Sequence, residues 1–362
     1  MLNQKRKYCL FVREDLAQKK DDFFSSNELY GMKSDLYMYS DLRKCFARVG
    51  IDLNTQYINS PQESEVVLCV NETDYFATYK RTSQNKLVVL ILTEPPVYNL
   101  KDWNTKRHQL FDKVFTYNSD LVSKNPIKYK FLAYPIDFNV PKNNNYISEQ
   151  EFLTKKNSCM VASAFAITKG NKQHKSLLYE RYKILVWYNK YAPNQLDYFS
   201  RTNPKEKFVY YRGASLLNKV SKKIGLKIAD YLYSKKIAKL YRGSVPSLNK
   251  TDTLANYKFN FCLENSLGVK GYITEKIFDA FFSQTVPIYL GAEDAHHYIP
   301  KDCYINYSDF KNIADLHHFL INMNYKRYTE YQVNITHFLN STAIDFFTVK
   351  KFISTLELEI TQ

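Results

Sequence analysis

The run from Tyr257 to Gly291, YKFNFCLENSLGVKGYITEKIFDAFFSQTVPIYLG, gathers reactive side chains into one short span. Its first part has the pattern of a buried strand and ends in Glu264 and Asn265. A loop with two glycines follows. Thr274 then caps a helix whose first turn holds Glu275 and Lys276, and Ile277, Phe278, Phe281 and Phe282 supply the apolar stripe that seats this helix on a sheet. Glu275 suits the positive end of the helix dipole, whereas Lys276 opposes it. A cation there lowers stability unless an anion shares the place, and the free N–H groups of a helix start bind phosphate. A diphosphate would resolve the conflict. A lysine that simply faces solvent is the plain alternative.

A second carboxylate, Glu94, follows the apolar run KLVVLILT and precedes Pro95 and Pro96, which fix the loop and donate no hydrogen bond to it. A carboxylate held at a strand end is suited to take a proton from a hydroxyl; the plain alternative is a loop carboxylate that merely caps a turn. Other chemistries lack their signatures. The chain has no GxGxxG, P-loop, GxSxG or HExxH, and only nine glycines. It also has no Asp-x-Asp, which argues against a nucleotide-diphosphate site built on a carboxylate-bound metal. His296 and His297 lack ligand partners at useful spacing and read as surface or cleft histidines. Six scattered cysteines with no CxxC read as buried reduced thiols, which points to a reducing compartment.

The elements that must position these groups alternate between strand and helix. KYCLFV (7–12), SEVVLCV (64–70) and KLVVLILTEPP (86–96) are apolar strand runs, with a helical stretch near 34–49. DKVFTYNSD and KFLAYPIDF extend the series. PKNNNYISEQ (141–150) is a polar linker, after which SCMVASAFAI (158–167), a helix from about 174 to 190, LDYF (196–199) and the block above restart the alternation. KNIADLHHFLINMN adds a last helical stretch. The predicted fold class is α/β, with two Rossmann-like doubly wound domains facing a cleft: residues 1–150, residues 151–335, and a helical tail, 336–362, packing back. Within the second domain, residues 201–250 form a basic insertion with 13 Lys/Arg against Glu206 and Asp230. It reads as a solvated helix, a membrane-surface helix or a clamp for an anionic acceptor.

At 362 residues, two domains are the default. The formal charge of +15 favours anionic partners: nucleic acid, an acidic membrane surface or a phosphorylated small molecule. No run approaches the ~18 consecutive apolar residues of a membrane span, and the basic N-terminus has too short an apolar stretch for a signal peptide. The expected location is cytoplasmic, with peripheral membrane contact as an option. Sequons at Asn71, Asn306, Asn334 and Asn340 arise by chance in so Asn-rich a chain.

The block resembles the α-1,3/4-fucosyltransferases, inverting enzymes that use GDP-fucose. Tyr257-Lys258-Phe259, Glu264-Asn265, Tyr272-Ile273-Thr274-Glu275-Lys276, Val286-Pro287 through Gly291 and the continuation IPKDCYINYSDF follow that family's order. Thr93-Glu94-Pro95-Pro96, then FTYNSDL, is a weaker match to its acceptor half. The resemblance implies a B-type glycosyltransferase architecture. It also implies a donor site in which Glu275 accepts the ribose diol, Lys276 contacts the diphosphate, and Glu264, Asn265, Tyr272 and Thr274 line the pocket. Glu94 would be the general base. Where the family has a phosphate-gripping arginine on the first helix of the donor domain, this chain offers Lys175, in KSLLYERYK, with Arg181 as a rival. The expected reaction moves L-fucose from GDP-fucose to a glycan hydroxyl, α-1,3 to GlcNAc or glucose, with inversion and without a metal or other cofactor. The expected partners are GDP-fucose and an oligosaccharide or glycolipid acceptor, and not nucleic acid. A transferase for another nucleotide-linked deoxysugar and a basic nucleic-acid-binding protein are the alternatives.

Overall fold

Runs of Val, Leu and Ile without polar interruption form strands that are covered on both faces, as parallel sheets require. In the computed structural model, which describes residues 6–13, 24, 28–29, 32–33, 37–138, 146–162, 175–200, 235–245 and 250–361, these runs build two sheets. The first contains β1 (Arg6–Phe11), β2 (Ile51–Thr55), β3 (Val66–Val70), β4 (Leu87–Leu92), β5 (Lys113–Thr116) and β6 (Tyr129–Phe131) in the order β2-β1-β3-β4-β5-β6, all parallel. Helix α1 (Tyr37–Arg48) connects β1 to β2. The edge strand β2 was not read from IDLNT, where Asp52 and Asn54 interrupt the apolar pattern. Asn59 braces it by donating to the carbonyls of Tyr8 and Asp52 at 3.0 and 2.8 Å.

The second sheet contains β7 (Lys156–Val161), β8 (Leu196–Phe199), β9 (Tyr257–Leu263), β10 (Val286–Leu290) and β11 (Ile305–Asn306), ordered β8-β7-β9-β10-β11 and again all parallel. With it go α2 (Leu178–Tyr191), α3 (Glu275–Phe282), α4 (Ile313–Ile321) and α5 (Tyr325–Leu339). One core joins Ile184, Leu185 and Tyr188 of α2 to Phe259, Phe261 and Leu263 of β9 and to Tyr328 of α5. Each fully buried side chain of this size stabilises by roughly 1.5–3 kcal/mol. In both sheets the strand order reverses beside the first strand while all strands stay parallel, and ligands of such sheets bind beyond the carboxyl ends there.

The chain divides into two compact units: Met1–Phe138 with Val269–Tyr272 and Ile344–Gln362, and Asn139–Gly268 with Ile273–Ala343. The division thus falls ahead of the expected 150/151 boundary, and α5 runs past the expected start of the tail. The terminal helix α6 (Val349–Ile360) buries Phe352, Leu356 and Ile360 in the core of the first unit with Tyr39 and Phe46. In the basic segment, residues 201–234 and 246–249 lie outside the described residues, as do 141–145 of the linker. No described helix is long and apolar enough to cross a membrane. The six cysteines are free, and all but Cys45 are buried.

Candidate active site

β9 carries Glu264 past its carboxyl end into a position where none of the side chain is exposed. Its Oε1 accepts the backbone N–H of Thr274 at 2.8 Å, and its Oε2 accepts the Thr274 hydroxyl at 2.8 Å. Thr274 is the extended residue that precedes α3, but its hydroxyl makes no capping bond because it is turned to Glu264. Lys276 donates to Thr274 Oγ1 at 2.9 Å, to Glu264 Oε2 at 3.2 Å and to Glu275 Oε1 at 3.4 Å, with 17% of its side chain exposed. The conflict between this lysine and its helix dipole is therefore met by a carboxylate of the protein itself. Ile277, Phe278 and Phe281 are buried and seat α3, while Phe282 is only half-buried.

The charges around this helix start are arranged as matched pairs. Burial pushes the Glu264 carboxyl above its ordinary range, against the pull of Lys276. Burial acts the same way on Glu275, but Lys276 and then Lys250 outweigh it and hold that carboxyl at about 2. Burial alone would lower the Lys276 ammonium, yet Glu264 and Glu275 together raise it. Lys250 forms an ion pair with Asp279 one turn further along α3. Neither Lys250 nor Asp279 was singled out from the sequence. Asp279 stands four residues after Glu275 on the helix, but nothing local points to Lys250.

Arg181 joins the cluster from the first turn of α2. It is buried, and its Nη2 donates to the carbonyl oxygens of Leu263 and Glu264 and to Asn265 Oδ1, the last two at 2.9 Å. Its charge acts against that of Lys276, so the two cations lie within electrostatic reach of each other. Lys175 is not on α2. The expected helix begins only at Leu178, because Lys175–Ser176 pairs antiparallel with Ser266–Leu267, and Lys175 is exposed there. Tyr272 belongs with the first unit, buried against Tyr117 at a centroid distance of 5.1 Å. Gly271, at φ +71°, lets the chain pass there: a Cβ would stand 2.1 Å from the carbonyl oxygen of Tyr117. Glu94 is exposed just past β4, ahead of two buried prolines.

Residues 199–356 match the model of glycosyltransferase family 10 (fucosyltransferase), C-terminal part. Among curated proteins, 68 residues are 52% identical to the alpha-(1,3)-fucosyltransferase FucT of Helicobacter pylori, covering 18% of this chain and 14% of that protein. A stretch of 87 residues is 38% identical to 4-galactosyl-N-acetylglucosaminide 3-alpha-L-fucosyltransferase 9 of Mus musculus, covering 23% and 24%. The chain thus matches less than a quarter of the length of either relative. Among solved structures, an alpha1,3-fucosyltransferase with GDP is similar across 100% of this chain and 92% of its own, with a TM-score of 0.51 at 15% identity. HepE of Anabaena, with UDP and glucose, reaches 0.54 at 10% identity, covering 98% and 99%. These likenesses show the fold, that of the B-type glycosyltransferases with Rossmann-like units.

Within the matched segment, a cleft of about 770 Å³ opens beside the ends of β10 and β11, with Gly291, Tyr304, Asn306, Asp309 and Tyr331 in its wall. Gly291 joins this cleft to the charge cluster. A Cβ there would stand 2.5 Å from both Glu264 Cγ and the Tyr289 hydroxyl, so a larger residue would displace the carboxylate that holds Lys276. No group of three or more His, Cys, Asp or Glu side chains among the described residues is placed to hold a metal ion. His296 and His297 lie 4.2 Å apart by ring centroid, and both are exposed.

Proposed function

We propose that this protein transfers L-fucose from GDP-fucose to a hydroxyl of a glycan, α-1,3 to GlcNAc or glucose, with inversion at the anomeric carbon. The observation that carries this reading is the Lys276–Glu264–Thr274 cluster at the start of α3, inside the segment that matches family 10. As the bond from the anomeric carbon to the diphosphate breaks, negative charge grows on the leaving group. Lys276 and the N-terminus of α3 stabilise it as preorganised electrostatics, without a metal. Glu275, kept anionic by Lys276 and Lys250, is suited to accept the two hydroxyls of a ribose. Glu94 takes the proton from the acceptor hydroxyl, and a single displacement inverts the centre. The basic segment 201–250 contributes contact with an anionic acceptor or membrane surface.

The reading is tested by incubating the protein with GDP-fucose and a glycan panel that includes N-acetyllactosamine, with products read by mass spectrometry, with and without EDTA. A mass increment of one deoxyhexose that survives EDTA is the expected result. Transfer only from a different nucleotide sugar would replace the donor, and activity lost to EDTA and restored by manganese would overturn the metal-free reading.

A further inference from the structure

The first unit holds Glu94 by its backbone from both sides. Asn71 ends β3 in the left-handed region, at φ +52°, which Asn tolerates better than most residues. Its backbone N–H reaches the carbonyl of Ile91 at 3.1 Å, and its side chain then continues the β3–β4 ladder where the strands part. Asn71 Oδ1 accepts the N–H of Thr93 at 2.9 Å and that of Glu94 at 3.2 Å, while its Nδ2 donates to Thr93 Oγ1 at 2.6 Å. On the far side, Trp103 Nε1 donates to the carbonyl oxygen of Glu94 at 2.9 Å.

Both braces are anchored in turn. The buried carboxylate of Asp102, next to Trp103, accepts the N–H and hydroxyl of Thr73 at 2.9 and 2.7 Å, and Asn99 Nδ2 at 2.6 Å. Its carbonyl oxygen meets His108 Nε2 at 2.7 Å. The indole packs against the cluster of Tyr117, Val269 and Tyr272. The Asn71-Glu72-Thr73 sequon is thus occupied by fold contacts at both its amide and its hydroxyl.

We infer that Asn71 and Trp103 are positioning residues for Glu94: with the N–H and C=O of residue 94 both fixed, only side-chain rotations remain to place the carboxylate. This inference rests on the reading of Glu94 as the base.

The test measures transfer from GDP-fucose to the acceptor found in the panel, alone and in a Glu94→Gln background. Asn71→Gly keeps the left-handed backbone without strain and removes only the side-chain bonds. It should lower kcat by about 10- to 100-fold, the scale of an ångström of misplacement, with KM for GDP-fucose unchanged. Asn71→Asp keeps the acceptor for the two N–H groups and should recover most of that loss. Trp103→Phe keeps the ring and loses the donor, and should lower kcat in the same sense. In the Glu94→Gln background none of these changes should lower turnover further, because nothing remains to be positioned. Equal losses in both backgrounds would make Asn71 and Trp103 structural only, and an unchanged kcat would dismiss the brace. Full turnover by Glu94→Gln alone would remove the base reading, and the positioning role with it.

Discussion

In the second unit Glu264, with 0% of its side chain exposed, and Lys276, with 17%, are stored as a buried pair. The first unit leaves Glu94 exposed and takes hold of it through its backbone, by Asn71 and Trp103. Both groups stand past the carboxyl ends of parallel strands, so the sheets pose the same problem and solve it differently. On the proposed reading Lys276 meets a diphosphate, and a charge as desolvated as this one requires a counter-charge. On the same reading, a carboxylate that takes a proton from a sugar hydroxyl needs an accessible oxygen and gains from a fixed main chain. The difference predicts that substitutions in the first unit will be read in turnover, and those in the second in stability and donor affinity together.

The sharpest way to break that division is Glu94→Gln, which keeps size and polarity but removes basicity. Turnover should fall by about two to four orders of magnitude, the scale of a lost general base. Affinity for GDP by calorimetry and the thermal midpoint should hardly change. Parallel loss of GDP binding would show that Glu94 serves the donor.

Lys276→Ala should be felt twice. Losing a charge-assisted contact to phosphate should weaken GDP binding by about ten- to a hundredfold. The sequence alone suggests no loss of apo stability, since the lysine opposes its own helix dipole. The structure reverses that expectation, because Glu264 would be left buried without its partner. Breaking a buried pair on one side costs about 3–5 kcal/mol, less if the orphaned carboxyl protonates. In chemical denaturation the Lys276→Ala/Glu264→Gln double variant should regain most of the lost stability and none of the GDP affinity. A double variant as unstable as the single one would mean that the pair is not what Lys276 contributes to the fold.

That reversal marks the limit of what the residues alone could tell. The strand–helix–strand block from Tyr257 to Gly291 was legible because apolar runs and a 3.6-residue stripe are local patterns, and Lys276 stood out because helix polarity is local too. The partner of Lys276 was not legible. Glu264 lies twelve residues earlier, and only the closure of β9 onto α3 brings the two together. Lys175 was mistaken for a residue of the first helix because KSLLYERYK is helical throughout by pattern, whereas pairing with Ser266–Leu267 claims its first residues. Tyr272 carries a motif position yet belongs with the first unit, a consequence of the turn at Gly271. The β2 strand was missed because an edge strand need not be apolar on both faces.

Arg181 and Lys175 give a direct contrast inside the second unit. Arg181→Lys replaces a planar fork by a point charge that cannot reach the carbonyls of Leu263 and Glu264 and the amide of Asn265 together. Leaving one buried acceptor unpaired should cost about 1–3 kcal/mol in a denaturant titration. Lys175→Ala, at an exposed position, should stay within about 0.5 kcal/mol of the parent. GDP affinity decides between them as phosphate ligands. A more than tenfold loss in Lys175→Ala, with Arg181→Lys unaffected, would return the role to Lys175.

The smallest effect expected is in the pH dependence of stability, where Glu65 and Glu264 should differ in sign. In the first unit Arg6, by a hydrogen bond, and then Lys86 hold the Glu65 carboxyl down to about 2 from an unfolded value near 4.5. A carboxyl lowered on folding contributes stability that is complete above its unfolded value and is lost as pH falls from about 4.5 towards 2. Glu264 in the second unit is raised on folding, chiefly by burial. Its contribution is complete below the unfolded value and is lost as pH rises through the folded one. Arg6 and Lys86 are well exposed, so solvent screening reduces the Glu65 contribution to about 1 kcal/mol. Denaturant titrations of the parent and Glu65→Gln at pH 6 and pH 3 should therefore converge at the lower pH, with the variant less stable by about that amount at the higher. A gap that widened on acidification would show that the Arg6–Glu65 pair does not stabilise the first sheet.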